Sequence, residues 1–260
     1  MNRLYLKHRL VVSPLSAQLL ALREFLTNVR TYWRHPELAL LRREDAMMRT
    51  ELARLLHPDS VCVDVGAHIG SMTNLFRRCA PDGRHVLIEA SPTKAAWLRK
   101  AFPTYTVHQL AVSDTEGEVS FFENLDQPGF SSLINRTTRG RTSQIVMPCT
   151  TLDNLLADHS RIDLIKIDVE GLEYSVVKGA RDVLKRCRPV LLFEAGAAAD
   201  KDIDNESYAA LFRLLTDELG YEIFPVFGLH FNRAPITERE FMGYRTYPFM
   251  AFNFFACPKV

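Results

Sequence analysis

The stretch Val61-Cys62-Val63-Asp64-Val65-Gly66-Ala67-His68-Ile69-Gly70 decides the fold. A hydrophobic, β-prone run encloses an acid and leads into a turn framed by two glycines, after which Ser71 opens an amphipathic segment. This order predicts a buried strand, a tight loop and a helix N-terminus, which α/β proteins use to hold a ligand at the carboxyl edge of a sheet. Glycine at Gly66 and Gly70 permits positive φ and lets backbone N–H groups come close to a ligand.

The spacing of this loop differs from the two common phosphate-binding motifs. Its pattern is G-x-x-x-G, neither the G-x-G-x-x-G of dinucleotide-binding loops nor the G-x-x-x-x-G-K-[ST] of P-loops. Asp64 would repel a phosphate but suits a cationic ligand. S-adenosylmethionine has a positive ammonium and sulfonium, no phosphate, and a carboxylate that loop N–H groups can bind. An ordinary strand, loop and helix with surface acids is the alternative interpretation, because short glycine motifs are weak signals.

A second acid supports a nucleoside-containing ligand. Glu89 stands nineteen residues after Gly70 and closes the hydrophobic run His85-Val86-Leu87-Ile88. An acid at this distance, at the end of the next strand, can accept hydrogen bonds from both ribose hydroxyls.

Composition limits the class of protein. The 260 residues suffice for one sizeable α/β domain plus an appendage. The net charge of +1 gives no reason to expect nucleic acid or an anionic membrane as partner. Five cysteines without C-x-x-C spacing argue against a zinc site or a disulfide framework and fit a reducing compartment. The apolar run within residues 1–22 is interrupted by Pro14 and Gln18 and is too short to span a bilayer, so we expect a cytoplasmic protein without a transmembrane segment.

Residues 1–56 are predicted to form an N-terminal helical appendage, followed by an α/β domain at residues 57–260. Apolar residues recur at spacings of three and four on both sides of His35-Pro36, which is typical of amphipathic helices. Their apolar stripe would cover the sheet or a partner subunit, which leaves a homo-oligomer through these helices open. A substrate lid or a surface for anions is the alternative.

The rest of the chain alternates between predicted strands and helices, with one departure. A third strand at Thr106–Val112 is expected to form a hairpin with Glu118–Phe122, and a long polar loop follows at Asp126–Arg141. Later, Asn205 is the expected N-cap of a helix that Gly220 ends. Tyr221–Val226 and Phe249–Ala256 are predicted to be the last two strands.

The second chemically informative stretch is Ile162-Asp163-Leu164-Ile165-Lys166-Ile167-Asp168-Val169-Glu170-Gly171-Leu172-Glu173. Charged residues are costly in a buried strand unless they are paired or lie at its carboxyl end. Period-two geometry places Lys166, Asp168 and Glu170 on one side, where Lys166 can neutralise a carboxylate. The next buried strand, Val190–Phe193, ends in Glu194. A purely structural ion-pair cluster is the alternative.

From about residue 57 to residue 258 the chain resembles the FkbM-like family of S-adenosylmethionine-dependent methyltransferases. The motifs that carry the resemblance are Asp64-Val65-Gly66-Ala67-His68-Ile69-Gly70, Glu89, Ala111-Val112-Ser113-Asp114 with Gly117, Thr151-Leu152-Asp153, and Lys166-Ile167-Asp168-Val169-Glu170-Gly171-Leu172-Glu173 with Gly179-Ala180. The last motif is far more specific than the first, which many methyltransferases share. The resemblance implies a seven-strand α/β methyltransferase fold, a mostly parallel doubly wound sheet whose last strand is antiparallel.

The resemblance also implies roles for individual residues. Glycines of the first loop would cradle the methionine part, Asp64 would orient it directly or through water, Glu89 would bind the ribose, and Ser113 and Asp114 would lie near the adenine. The residues implied to contact the cofactor are Asp64, Gly66, Ala67, His68, Gly70, Glu89, Ala90, Ser113, Asp114 and Asp168. This chain departs from the family at His68, where Asn is usual, and at Ala90, where proline is usual.

Methyl transfer from a sulfonium requires alignment of the acceptor and removal of its proton. Asp168, Glu170 and Glu194 are the candidate catalytic residues, because they follow two strands beside the cofactor crevice. Since an aliphatic hydroxyl is a poor acid, either its proton leaves late in the transition state, which we favour narrowly, or these carboxylates gather a divalent ion. His230 is an alternative base.

The expected function is O-methylation of a hydroxyl on a sugar, glycan or natural product, a substrate class that the resemblance supplies. A nucleic-acid or protein acceptor is the rival within enzymes, and Arg136, Arg139 and Arg141 in the long loop leave room for an anionic acceptor. A scaffold that binds the cofactor without turnover is the rival outside enzymes.

Overall fold

The computed structural model describes residues 35–124, 133, 141–198 and 204–259. The first 34 residues, most of the predicted loop Asp126–Arg141, and with it Arg136 and Arg139, lie outside the described residues. A 3-10 turn at Pro36–Leu38 leads into helix α1 (Ala39–Leu55), which is the helix that the periodicity after His35-Pro36 predicts.

The main sheet has seven strands. They are β1 (Cys62–Val65), β2 (Val86–Ile88), β3 (Thr106–His108), β7 (Leu164–Ile167), β8 (Val190–Glu194), β9 (Tyr221–Pro225) and β10 (Asn253–Pro258). Their order is β3-β2-β1-β7-β8-β10-β9, and only β10 runs antiparallel to its neighbours. Every residue of β1 and β7 is buried, as expected for central parallel strands. The predicted mostly parallel fold with an antiparallel last strand is confirmed.

Helices connect these strands. They are α2 (Ser71–Cys79), α3 (Pro92–Ala101), α4 (Leu152–Leu155), α5 (Glu173–Lys178), α6 (Arg181–Cys187), α7 (Asn205–Arg213), α8 (Val226–His230) and α9 (Glu238–Tyr244). Helix α7 continues into a π-helical turn at Leu214–Glu218, and Gly220, at φ +67°, ends it as predicted. The predicted cap is wrong by one residue, because the side chain of Asp204 accepts the N–H of Glu206. Asn205 instead accepts a hydrogen bond from the buried guanidinium of Arg245.

A second, three-stranded sheet corrects the predicted hairpin. It consists of β4 (Ala111–Val112), β5 (Gly117–Asn124) and β6 (Thr142–Thr150). The predicted strand at 106–112 is divided between the two sheets, and β5 pairs antiparallel with β6 over eight residue pairs rather than with that strand. The long ladder to β6 satisfies more backbone groups than a local hairpin could, and a turn signal cannot reveal such a distant partner.

Helix α1 belongs to the same core as the sheet. Met47, Met48 and Leu52 are buried in it. The buried carboxylate of Glu44 accepts the backbone N–H groups of Phe252 and Asn253, which ties α1 to the start of β10. The domain boundary at residue 56 and an oligomer through the N-terminal helices stay predictions.

Candidate active site

A cavity of about 380 Å³ opens where β1, β2 and β7 end at the carboxyl edge of the sheet. Its volume falls within the range of small-molecule sites, roughly 300–1,000 Å³. Much of its wall is apolar, formed by Ile88, Leu110, Ala111, Val112, Phe121 and Leu133. The charged residues that line it are Glu89, Lys94, Lys166, Asp168 and Glu170. Gly66, Ala67, His68 and Ala90 also line it, so most of the predicted cofactor residues share one crevice.

The two loop glycines serve internal packing. Gly66 has φ +72°, and a Cβ built on it would lie 1.9 Å from the carbonyl oxygen of Asp168. The ends of β1 and β7 are therefore pressed together at this point, which the hydrogen bond from Asp168 N to Val65 O also shows. Gly70, at φ +83°, faces the ring of Phe102, 2.4 Å from a hypothetical Cβ, and is not among the residues that line the cavity.

The backbone N–H groups of this loop are also used internally, which corrects the expectation that they bind the ligand's carboxylate. Gly66 and Ala67 donate to Ile88 O, and His68 donates to the Glu89 carboxylate. The first turn of α2 is the available alternative, because N-terminal N–H groups of a helix have no intrahelical acceptor and Ser71 and Met72 line the cavity.

The departure at His68 has a backbone explanation. His68 has φ +51°, in the left-handed region where Asn and His are more frequent than other side chains. The Asn that is usual in the family and the His of this chain therefore meet the same conformational requirement.

Glu89 is 5% exposed, and each of its oxygens accepts a backbone N–H, one from the glycine loop and one from the N-cap of α3. It accepts His68 N at 2.7 Å and Ser91 N at 2.8 Å. Burial raises its pKa, against the positive charges of Lys94 and Lys166. Each carboxylate oxygen has a second lone pair, so further donors such as ribose hydroxyls can bind there.

Lys94 is a cavity residue that the sequence analysis missed. It is 4% exposed, and burial lowers its pKa while Glu89 and Glu123 work in the opposite direction. One feature of the sequence could have revealed it: a lysine in the first turn of α3, where a positive charge is unfavourable to the helix.

Lys166 connects the two strand ends electrostatically. Its Nζ lies 3.3 Å from Asp64 Oδ1 and 3.4 Å from Asp168 Oδ2, and it donates to Gly66 O at 2.9 Å and Val65 O at 3.2 Å. Burial opposes its charge, yet Asp168 and Asp64 raise the pKa of Lys166 overall. Asp64 is 1% exposed, accepts the Thr73 hydroxyl at 2.6 Å, and does not line the cavity. Its influence on a ligand would pass through Lys166.

Asp168 and Glu170 also line a second, smaller cavity of about 20 Å³, together with Glu194. Phe193 pairs with Ile167, so Glu194 lies beside Asp168 at the end of the adjacent strand. Glu194 is exposed at this cavity, and within the described part of the chain its carboxyl forms no hydrogen bond or ion pair. The surrounding protein and the negative charges of Asp168 and Glu170 raise its pKa to about 8.

The turn between β7 and α5 is held by Glu173, whose role the sequence analysis missed. Its buried carboxylate accepts the N–H groups of Val169 and Gly171 and the hydroxyl of Tyr208 at 2.7 Å. Glu170 has φ +58° within this turn, so the predicted period-two alignment with Lys166 ends at the strand.

Ser113, Asp114 and His230 also lie outside the main cavity lining, as Asp64 and Gly70 do. Asp114 forms an ion pair with Lys178 at 2.7 Å, and neither it nor Ser113 is part of the lining, where Ala111 and Val112 lie instead. His230, the alternative base, contacts Glu51 of α1 at 2.7 Å and is not among the residues that line either cavity.

Two further findings concern the described residues only. They contain no group of three or more His, Cys, Asp or Glu side chains arranged to hold a metal ion. No helix within the described ranges has the length and apolar character needed to cross a membrane.

The cavity fits S-adenosylmethionine. Glu89 offers acceptors for ribose, the wall of Val112, Phe121 and Leu133 suits an adenine, and the cluster of Asp64, Asp168 and Lys166 carries one net negative charge for a cationic methionine part. When bound, this cofactor supplies an already activated methyl group.

The match to a family model agrees with this assignment. Residues 64–223 match the family described as the methyltransferase FkbM domain. Methyltransferase FkbM from Methylobacillus flagellatus KT is similar in structure, with 18% identity and a TM-score of 0.48 over 78% of this chain and 45% of that one. Precorrin-6y C5,15-methyltransferase from Geobacter metallireducens GS-15 has 15% identity and a TM-score of 0.40 over 68% and 72% of the two chains. A putative rRNA methylase from Clostridium thermocellum has 7% identity and a TM-score of 0.42 over 69% and 83%.

This chain thus spans less than half the length of the Methylobacillus protein. None of the curated proteins compared with the chain matches it. The family match covers more than half of the chain and includes both glycine-loop and Lys-Ile-Asp-Val-Glu-Gly motifs. The chain belongs to the FkbM family of methyltransferases, and this membership implies S-adenosylmethionine as the methyl donor.

Proposed function

We propose that this chain methylates a hydroxyl group on a sugar, glycan or natural product. The observation that carries the proposal is the group of three carboxylates, Asp168, Glu170 and Glu194, at the ends of two adjacent strands beside the cofactor cavity. The substrate class itself follows from the family resemblance.

Within this site, the protein's tasks are orientation and proton removal. Gly66 and Glu89 fix the loop on the cofactor side, and Asp168 lies at the boundary between the two cavities. Glu194 has a pKa of about 8, close to the value at which a general base works best near neutral pH. Because a hydroxyl is a weak acid, its proton passes to a carboxylate late in the displacement.

Charge favours a neutral or cationic acceptor over a phosphate-bearing one. Asp168 and Glu170 line both cavities, and Lys166 is already engaged by two carboxylates. An anionic nucleic acid would meet repulsion there. The five unpaired cysteines, Cys62, Cys79, Cys149, Cys187 and Cys257, support a cytoplasmic location for this activity.

Binding and turnover can be tested separately. Calorimetry measures the affinity of the purified chain for S-adenosylmethionine and S-adenosylhomocysteine. A panel of hydroxyl acceptors is then screened for S-adenosylhomocysteine release, with and without chelator. Glu89→Ala should weaken cofactor binding by about tenfold or more, because the hydrogen bonds from His68 N and Ser91 N and the ribose acceptor are lost. Glu118→Ala, at an exposed position of β5, is the matched control.

Asp168→Ala should largely keep cofactor binding and lose turnover. Wild-type turnover by Asp168→Ala would remove that residue from the mechanism. Cofactor binding without turnover of any hydroxyl acceptor would favour a scaffold. Release of S-adenosylhomocysteine with an RNA or peptide acceptor alone would favour a methyltransferase of nucleic acids or proteins.

A further inference from the structure

Lys166 is 8% exposed, and four oxygen atoms surround its ammonium. They are Gly66 O at 2.9 Å, Val65 O at 3.2 Å, Asp64 Oδ1 at 3.3 Å and Asp168 Oδ2 at 3.4 Å. Carbonyl and carboxylate oxygens in such a set are the ligands that hard metal ions take in proteins. Here a side chain of the protein itself supplies the cation at their centre.

These four oxygens come from different parts of the site. The two carbonyls belong to the end of β1 and the start of the loop, whereas Asp168 follows β7 and faces both cavities. Both carbonyls accept hydrogen bonds from the ammonium, and the two carboxylates would repel each other without it. Lys166 also lines the main cavity, so the contact lies at the cofactor site and not behind it.

We propose that Lys166 is a positioning residue whose ammonium acts as a built-in cation, holding the cofactor loop against the end of β7 so that the cofactor cavity keeps its shape. The proposal rests on the cofactor cavity and does not depend on which acceptor is methylated. Lys166 acts here through Gly66 and Asp168 and takes no part in the chemical step.

A purely structural role makes a different prediction. Loss of one partner from a buried ion pair destabilises a protein wherever the pair lies, so reduced stability of a Lys166 variant would not distinguish the two roles. The distinguishing property is cofactor affinity in a folded variant, and its recovery when a separate cation returns to the vacated place.

The experiment is calorimetric titration of S-adenosylhomocysteine into the full chain and into Lys166→Ala. The alanine variant lacks three methylenes and the ammonium, so propylammonium ion has the size and charge of the missing group. The titrations are repeated with propylammonium and with 1-propanol, which has a similar size and no charge. Melting temperatures and circular dichroism identify folded samples, and the wild-type chain with each additive is the control.

We expect Lys166→Ala to bind S-adenosylhomocysteine about tenfold more weakly or worse. Propylammonium should restore most of this loss, and 1-propanol should not. A variant that binds within about twofold of the wild type, or a folded variant whose weak binding propylammonium does not relieve, overturns the proposal.

If Lys166→Ala does not fold, Lys166→Gln provides the same comparison, because its amide can still donate to Gly66 O without a charge. Weak binding by a folded Gln variant supports the cation's role, and wild-type affinity refutes it. Since the readout is cofactor binding, failure here is distinct from failure to find a hydroxyl acceptor.

Discussion

Gly66→Ala should damage the cofactor site far more than an ordinary glycine substitution. The residue has φ +72°, and a non-glycine side chain in this conformation costs about 1–2 kcal/mol. Its Cβ would lie 1.9 Å from the carbonyl oxygen of Asp168, whereas real Cβ contacts essentially never fall below 3.0 Å. Because the obstacle is backbone, the strand ends must separate by roughly 1 Å, which adds about 1–3 kcal/mol. The free energy of unfolding should therefore fall by about 2–5 kcal/mol.

Gly220→Ala isolates the conformational part of this cost. Gly220 has a similar φ of +67°, but the nearest atom to its hypothetical Cβ is a guanidinium nitrogen of Arg188 at 3.9 Å. We expect a loss of only about 1–2 kcal/mol there and unchanged cofactor affinity. Urea denaturation and S-adenosylhomocysteine calorimetry on both variants measure the difference. If Gly66→Ala and Gly220→Ala show the same change in the free energy of unfolding and the same affinity for S-adenosylhomocysteine, the close packing of the two strand ends does not shape the cofactor site.

Three further changes test other parts of the structure. Burial and neighbouring charges raise the pKa of Glu194 to about 8 in the folded chain. The folded state therefore holds this proton more tightly than the unfolded state does, and the free energy of unfolding falls as the pH rises through that value. The melting temperature of Glu194→Gln relative to the wild type should therefore increase as the pH is raised from acid to alkaline values. A difference in melting temperature that stays constant with pH would contradict this. Tyr208→Phe leaves the buried Glu173 without one donor and should lower the unfolding free energy by about 1–3 kcal/mol in urea denaturation. Burial lowers the pKa of His85, so the neutral imidazole stabilises the fold above about pH 6.5, and this contribution is lost as the pH falls through the lowered pKa. His85→Asn should therefore make the melting temperature less dependent on pH on the acid side.

The convergence of the site could be predicted because it follows from strand direction. Parallel strands end at one edge, so residues that follow β1, β2 and β7 meet there whatever their loops do. Gly66, Glu89 and Asp168 each stand directly at such an end, and they do line one cavity. The order of the strands along the sequence is therefore enough to predict that these residues lie at the same edge of the sheet.

Side-chain partners were harder to predict because several acceptors compete for each charge. Ser113 and Asp114 stand just beyond β4, yet Asp114 pairs with Lys178 and the apolar Ala111 and Val112 line the cavity. Similarly, nothing local in the sequence shows that β5 pairs with β6, because the partner lies beyond the long polar loop. Contacts of this kind depend on tertiary packing, which overrides local propensity.

The corrected role of the glycine loop changes how ligand choice should be explained. If Gly66 serves the contact with Asp168, and the N–H groups of Gly66 and Ala67 serve Ile88, the loop itself offers little that distinguishes one ligand from another. Selection must then come from Glu89 and the charges around Lys166, which together present more negative than positive charge to the cavity. A phosphate would be repelled by this balance and a sulfonium would not. The preference for a cationic methyl donor thus resides in the acids that the loop holds in place, and substitutions of those acids should change ligand choice more than substitutions of solvent-facing loop residues.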